Sequence, residues 1–174
     1  MSDIKIIDNF LTHQEHKNLL HTLCETEFPW FYSQVISDSD FDQFSFIADK
    51  KYNYQFCHRV YLNAVPCSNF FYLLQPFCDK LCIHALVSAK FNMNPCTENV
   101  IEHCLHVDND IKTSAAKTAV YYLNSNDGYT FFENGDRIES VANRLVLFPT
   151  TMKHSGTTCT NTSTRMVLNL NFFA

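Results

Sequence analysis

The chain has 174 residues, 46% of them apolar, 14% aromatic and 18% charged, with only 3 glycines. That length suits one domain with a real core, and the low charge excludes a disordered chain. A net charge of −5 argues against a dedicated nucleic-acid binder, and the dispersed Gly128, Gly135 and Gly156 exclude dinucleotide and Walker loops.

The N-terminus MSDIKIIDNF lacks a basic region followed by an apolar run, and no stretch reaches the length of a membrane span. A cytoplasmic protein with no membrane partner is expected, its eight cysteines reduced. Ile4–Ile7 reads as a short strand. Thr12 opens a helix running to about Glu25, with Glu15 three residues on completing a capping box and Leu11, Leu19, Leu20 and Leu23 on one face. Phe28 to Tyr32 is aromatic and extended, and residues 37–55 read as a long loop. A second helix is expected from Ser68 to about Ile83, bent near Pro76.

Strands follow: Ala85–Met93, Val100–Val107, Lys117–Leu123, Tyr129–Phe132, Arg137–Val141, Arg144–Phe148 and Thr164–Phe173. Asn134-Gly135 signals a type I′ hairpin. Helices first and strands after, without βαβ alternation, imply a mainly β fold with N-terminal helices, an antiparallel sandwich or jelly roll. No linker divides the chain. One domain is expected over 1–174, with helical and aromatic support over about 1–84 and the β core over about 85–174.

The chemistry lies at the end of the Val100–Val107 segment. His106 and Asp108 stand two residues apart, which on a strand points both side chains to one face. His154, after a turn begun by Pro149, can supply a third ligand. Two His and one carboxylate form the facial triad of non-haem Fe(II) oxygenases, with open positions left for a chelating 2-oxo acid and dioxygen. Structural zinc prefers four closed ligands, so the set points to iron. Arg165, at the start of the last strand, suits the distal carboxylate of such a co-substrate, because its planar fork binds bidentately. His103 falls on the Leu105 side of that strand, opposite His106, and reads as a strand residue. His58 and His84 read as structural. The aromatics Phe28, Trp30, Phe31, Tyr32, Phe41, Phe44, Phe46, Tyr52 and Tyr54 either line a substrate groove or cover the sheet.

From about Asn92 onward the chain resembles the Fe(II)/2-oxoglutarate dioxygenases of the prolyl-4-hydroxylase type. The resemblance is carried by HVDND (106–110), TAVYYLN (118–124), Gly128-Tyr129-Thr130-Phe131, FPTTMKHSG (148–156) and TRMVLNLNF (164–172). IIDNFLTHQEH and FPWFY are similar, more loosely, to small stand-alone bacterial and phage members. The resemblance implies a double-stranded β-helix, a cupin-like jelly roll. It implies His106, Asp108 and His154 as iron ligands and Arg165 on the distal carboxylate. Tyr122 would donate its hydroxyl to that carboxylate, and Thr118 and Val120, on the same face, would line the pocket. Fe(II) and 2-oxoglutarate are the implied cofactors, with ascorbate as a stimulant and dioxygen as a partner.

The implied reaction is hydroxylation of a protein or peptide side chain with release of succinate and CO2. The chain departs from the family in Asp127-Gly128, where many members have Gly-Gly, and in Asn171, where an aromatic is common. Asn171, Asn94 and Gly156 are the candidate substrate-side residues. Three alternatives stand beside this reading: hydroxylation of a small molecule or free amino acid, a catalytically silent jelly-roll binding module, and nucleic-acid demethylation. The last is disfavoured because no Arg or Lys follows Arg165.

Overall fold

The computed structural model of the protein describes residues 3–35, 50–108, 113 and 115–174. Its strands are β1 (Lys5–Ile7), β2 (Phe31–Ser33), β3 (Gln55–Leu62), β4 (Val65–Pro66), β5 (Ala85–Pro95), β6 (Ala116–Tyr122), β7 (Tyr129–Phe132), β8 (Arg137–Glu139), β9 (Arg144–Pro149), β10 (His154–Gly156) and β11 (Thr164–Phe173). Its α-helices are α1 (His13–Cys24) and α2 (Gln75–Lys80). Helix α1 begins at the expected capping box. The Thr12 hydroxyl accepts from the Glu15 N–H (3.2 Å), and the Glu15 carboxylate accepts from the Thr12 N–H (2.7 Å). The expected second helix is in two pieces, a 3-10 turn over Asn69–Leu74 and then α2. Pro76 sits in the first turn of α2, where its missing N–H leaves no bond unmade.

The larger sheet has the order β1-β9-β6-β11-β5-β3-β2, with β4 on β3, and the smaller has the order β10-β7-β8. Every ladder is antiparallel. One face of the larger sheet buries Phe91, Tyr121, Leu168 and Leu170 against Leu19 and Leu23 of α1 and Phe77 of α2. The opposite face packs Val120, Tyr122, Val146, Phe148 and Val167 against Phe132 and Ile138 of the smaller sheet. Helices, larger sheet and smaller sheet thus form three layers in a jelly-roll-like arrangement. No helix among the described residues is long and apolar enough to cross a membrane.

Several expectations are corrected. Besides the expected strand near Ile4–Ile7, the first 84 residues also supply β2 to β4. Strand β3 lies where no strand was expected, because polar residues mask its alternation: His58 and Val60 are buried while Arg59 is exposed. The remainder of the expected loop, residues 37–49 with Phe41, Phe44 and Phe46, lies outside the described residues. Val100–Val107 forms no strand. It meets residues 154–157 only at single bridges, Glu102 to Thr157 and His106 to His154, so no continuous ladder builds. The hairpin is not type I′, which requires two left-handed residues. Only Gly135 has positive φ (89°), and the bonds Gly135 N–H to Phe132 C=O and Phe132 N–H to Asp136 C=O close a three-residue loop. That pattern is a type I turn followed by a left-handed glycine.

Among the aromatics, Phe28 is buried against His58, Phe70 and Phe91, so it covers the sheet. Phe31 and Tyr32 are exposed, with Tyr32 stacked on Tyr54. His58 is structural as expected, its two ring nitrogens bonded to the Pro29 carbonyl (2.7 Å) and the Ser68 hydroxyl (2.6 Å).

Asn143 ties the α1 entrance to the sheet. Its Oδ1 accepts from the Leu11 N–H (2.8 Å) and the Tyr121 hydroxyl (2.9 Å), and its Nδ2 donates to the Leu11 carbonyl (2.8 Å). Its φ of 63° is a left-handed conformation that Asn tolerates better than Ala. Asn143→Ala removes the partners of the Leu11 N–H and C=O, leaves the Tyr121 hydroxyl only His16, and is expected to destabilise the fold by about 2–4 kcal/mol. Guanidinium unfolding at neutral pH measures this, and a change within error of zero would refute the tie.

Candidate functional site

The site is built on the face of the larger sheet turned away from the helices. Alternation along β11 sends Leu168, Leu170 and Phe172 toward the helices and Arg165, Val167, Asn169 and Asn171 the other way. Register places Asn94, Asn92, Lys90 and Ser88 of β5 beside those four in turn. On the other flank, Tyr122, Val120 and Thr118 of β6 pair with Val167, Asn169 and Asn171. Two central strands therefore present a polar rank of side chains to one side.

At one end of this rank lie His106, Asp108 and His154, whose ligand atoms all fall within 4.8 Å of one another. The two histidines are bridged backbone to backbone, each N–H donating to the other's carbonyl at 3.0 Å. His106 Nε2 lies 3.6 Å from Asp108 Oδ1, and His154 Nε2 lies 3.6 Å from Asp108 Oδ2. Each Nδ1 contacts the carbonyl two residues back, Cys104 for His106 (3.1 Å) and Met152 for His154 (3.2 Å). A proton on Nδ1 in each ring leaves the Nε2 lone pair facing the carboxylate.

Asp108 is braced from the sheet. Asn169 Nδ2 donates to its Oδ2 at 3.0 Å and Asn171 Nδ2 approaches the same oxygen at 3.4 Å. Burial pushes the Asp108 pKa up, but the two imidazoles and Asn169 outweigh it and hold the carboxyl well below its usual range. Burial likewise opposes a charge on His106, yet Asp108 prevails and raises its pKa. At His154 burial wins and the pKa falls.

At the other end is Arg165, 2% exposed. Its Nε donates to Ser140 Oγ (2.9 Å), one terminal nitrogen donates to Thr130 Oγ1 (3.1 Å), and its guanidinium carbon lies 5.5 Å from the centre of the Tyr122 ring. No carboxylate among the described residues pairs with it. Burial lowers its pKa, but a guanidinium remains charged. Between Arg165 and the triad runs a cavity of about 110 Å³, also lined by Asn92, Asn94, His103, Val120, Ser155 and Val167. The buried side-chain atoms without a hydrogen-bond partner among the described residues are Asn92 Oδ1, Asn94 Nδ2, His103 Nε2 and Ser155 Oγ. All four belong to residues of this one cavity wall. Buried polar atoms are ordinarily paired, so their convergence marks a site shaped for a polar ligand.

The expected residues divide. His106, Asp108, His154, Arg165, Val120, Asn94 and Gly156 all border the cavity. Tyr122 does not. Its hydroxyl is bonded to Thr130 Oγ1 (2.8 Å) and lies 3.3 Å from the Ile138 carbonyl, and its ring lies against the Arg165 guanidinium. Thr118 also lies off the cavity, donating to Asn171 Oδ1 (2.7 Å) and so turning the Asn171 amide toward Asp108. Asn171 is accordingly a buried brace for Asp108 that lies off this cavity. His103 does face the cavity, because the segment that carries it is not a strand and strict alternation does not apply. Thr130, Ser140, Ser155 and Asn169 were missed. Thr130 had a signal, a polar residue two positions from Phe132 on the buried side of a short aromatic strand.

Burial, with Arg165 and His106 adding to it, pushes the His103 pKa down to about 4. A histidine buried neutral contributes stability that is present at neutral pH and is lost as pH falls below the unfolded value, since only the unfolded chain then takes up the proton. Between neutral pH and pH 5 this group alone removes about 2 kcal/mol. His103→Gln is expected to flatten the acid limb of the stability–pH curve by that amount. Denaturant midpoints across that range test it, and parallel curves for the two proteins would count against a neutral His103.

No family model and no curated protein sequence matches the chain. Solved structures do. A prolyl hydroxylase from Trichoplax adhaerens, solved with a hypoxia-inducible-factor degradation-domain peptide, has a TM-score of 0.65 at 16% identity, over 99% of this chain and 84% of that one. A Pseudomonas putida prolyl-4-hydroxylase gives 0.57 at 15%, over 98% and 92%. The non-haem α-ketoglutarate-dependent epimerase SnoN of nogalamycin biosynthesis gives 0.66 at 11%, over 98% and 76%. The chain therefore has the fold shared by prolyl hydroxylases and other 2-oxoglutarate–Fe(II) oxygenases.

Proposed function

We propose that the protein is an Fe(II)- and 2-oxoglutarate-dependent oxygenase that hydroxylates a protein or peptide side chain and releases succinate and CO2. One observation carries this: a single polar cavity has a His-Asp-His donor set at one end and a buried, unneutralised guanidinium at the other. Two neutral imidazoles and a carboxylate suit Fe(II) and leave coordination positions open. A small dianion spanning the cavity would neutralise Arg165 and offer acceptors to the unpartnered donors on its walls.

His106, Asp108 and His154 would hold the metal, and bound Fe(II) would supply dioxygen activation coupled to decarboxylation of the co-substrate. Asn169 and Asn171 orient Asp108, and Asn169 also favours its ionised form. Arg165 would take the distal carboxylate of 2-oxoglutarate. Thr130 Oγ1 already accepts from both Arg165 and Tyr122, so its own proton is free to donate to that carboxylate. Tyr122 thus acts through Thr130. Val120 and Val167 supply an apolar wall that limits water beside the co-substrate. In this reading residues 1–174 act as one domain, because β1 and β3 complete the sheet that bears the site.

The peptide substrate rests on the Trichoplax enzyme, which was solved with a peptide. A small-molecule substrate is the second reading, favoured by the likeness to an enzyme of nogalamycin biosynthesis. The convergence of three ligand atoms within 4.8 Å speaks against a silent binding module. Eight cysteines read as thiols suit a cytoplasmic location.

Succinate release in the presence of Fe(II), ascorbate and 2-oxoglutarate, with mass detection of a singly oxygenated product, tests the activity. Asp108→Ala is expected to abolish it and to weaken metal binding by more than the roughly tenfold that loss of an outer partner causes. Unchanged metal affinity would sink the assignment. Two glycines give a second test. A Cβ on Gly156 would sit 3.0 Å from an Arg165 terminal nitrogen, which must yield, whereas one on Gly128 would meet the Thr158 carbonyl at 2.5 Å. Gly156→Ala should weaken 2-oxoglutarate binding by about tenfold with little change in Tm, and Gly128→Ala should lower Tm instead. Calorimetric titration and thermal melts separate the two, and equal effects on both properties would refute the distinction.

A further inference from the structure

Outside the cavity, on the same sheet face, lies a groove of about 100 Å³ lined by Arg59, Tyr61, Ser88, Lys90, Asp108 and Asn171. Lys90 lines both spaces and so stands at their boundary. Register puts Asn169, Lys90 and Arg59 in one row across β11, β5 and β3, starting from the residue that braces Asp108. Arg59 and Lys90 are direct cross-strand partners. Like charges in that position repel and destabilise a sheet. No carboxylate among the described residues forms an ion pair with either.

In the oxygenase reading, a divalent iron, Asp108, Arg165 and a 2-oxoglutarate dianion sum to zero. Lys90 and Arg59 then add two positive charges beside the site that no carboxylate among the described residues offsets and that an incoming anion would.

We propose that the substrate carries a carboxylate beside the carbon to be oxidised, and that Lys90 and Arg59 read it. This rests on the oxygenase reading and deepens it. A free acidic amino acid and an acidic residue within a peptide share the chemistry. A nucleic-acid phosphate backbone is disfavoured, because the protein as a whole carries a net charge of −5 and repels a polyanion.

The test uses the full chain loaded with Zn(II) in place of Fe(II) and with 2-oxoglutarate, so that nothing turns over. Calorimetric titration compares L-glutamate with L-glutamine, the capped peptide Ala-Pro-Glu-Ala with Ala-Pro-Gln-Ala, and an oligothymidylate. At least one acidic probe is expected to bind about tenfold more tightly than its amide, and which one does so identifies the source. Lys90→Met and Arg59→Gln should each erase most of that preference. Lys90→Glu should shift preference toward Ala-Pro-Lys-Ala, a gain that a misfolded variant cannot show. The proposal is overturned if acidic and amide probes bind alike, if no acidic probe binds at millimolar concentration, if the preference survives both neutralising variants, or if the oligonucleotide binds more tightly than the acidic probes. Binding of Zn(II) and 2-oxoglutarate before any probe is added tests the oxygenase reading separately, so the two can fail independently.

Discussion

A guanidinium sealed inside a protein without a carboxylate beside it is the constraint around which this structure is arranged. Arg165 is held by two hydroxyls and the face of one ring. Those groups come from the turn after β8, from β7 and from β6, so three separate elements converge on one side chain. Two of the three glycines in the chain also stand against it, Gly128 beside its aliphatic stem and Gly156 beside its head. Dipoles alone compensate a buried charge poorly. A fold selected for stability alone would place a carboxylate here or replace the arginine. Retaining the charge with only neutral partners among the described residues leaves the guanidinium able to pair with an anionic ligand, which would add to stability.

The His-Asp-His end follows a different logic. Of its three candidate ligand residues, His106 and Asp108 lie outside the strands and His154 opens β10, yet their orientation is over-determined. The reciprocal backbone bridge sets the spacing of His106 and His154. Each ring is then turned by a carbonyl of its own segment, two residues back. The carboxylate between them is set from a third direction by β11. Thr118, remote from the cavity, orients Asn171 and so acts on Asp108 at one remove. Strands thus orient a donor set of which two members lie outside regular structure.

What could be read from the sequence divides along the same line. Spacing alone singled out His106 and Asp108, and chain order added His154 and Arg165, because ligand chemistry restricts residue type severely. The capping box at Thr12 and the extent of β11 were legible because local rules govern them. Period-two alternation assigned Thr118, Val120 and Tyr122 to one face correctly, but a face is not a depth. Of the three only Val120 reaches the cavity, since the smaller sheet covers Tyr122 and Asn171 engages Thr118. The same rule misplaced His103, because it presumes a ladder that the 100–107 segment does not build. Strand β3 escaped notice because Arg59, turned to the groove, interrupts an otherwise apolar pattern. In both cases the missing information was non-local: which strand lies alongside, and what lies on top.

Strand β11 shows why so short a sequence pattern suffices for the rest. It is central in the larger sheet, bonded on both sides, and its register is fixed by Leu168, Leu170 and Phe172 packing beneath the helices. A slip of one residue would turn those apolar groups outward, so the slip is forbidden by the core and not by the site. The opposite side of the same strand then carries Arg165, Val167, Asn169 and Asn171 at fixed intervals of about 6.8 Å for each alternate residue. The first grips one end of the cavity, the second forms its wall, and the last two hold Asp108 at the other. One strand therefore sets the distance between the cation and the carboxylate. The hydrophobic core, by locking that strand, determines the length of ligand that can bridge them.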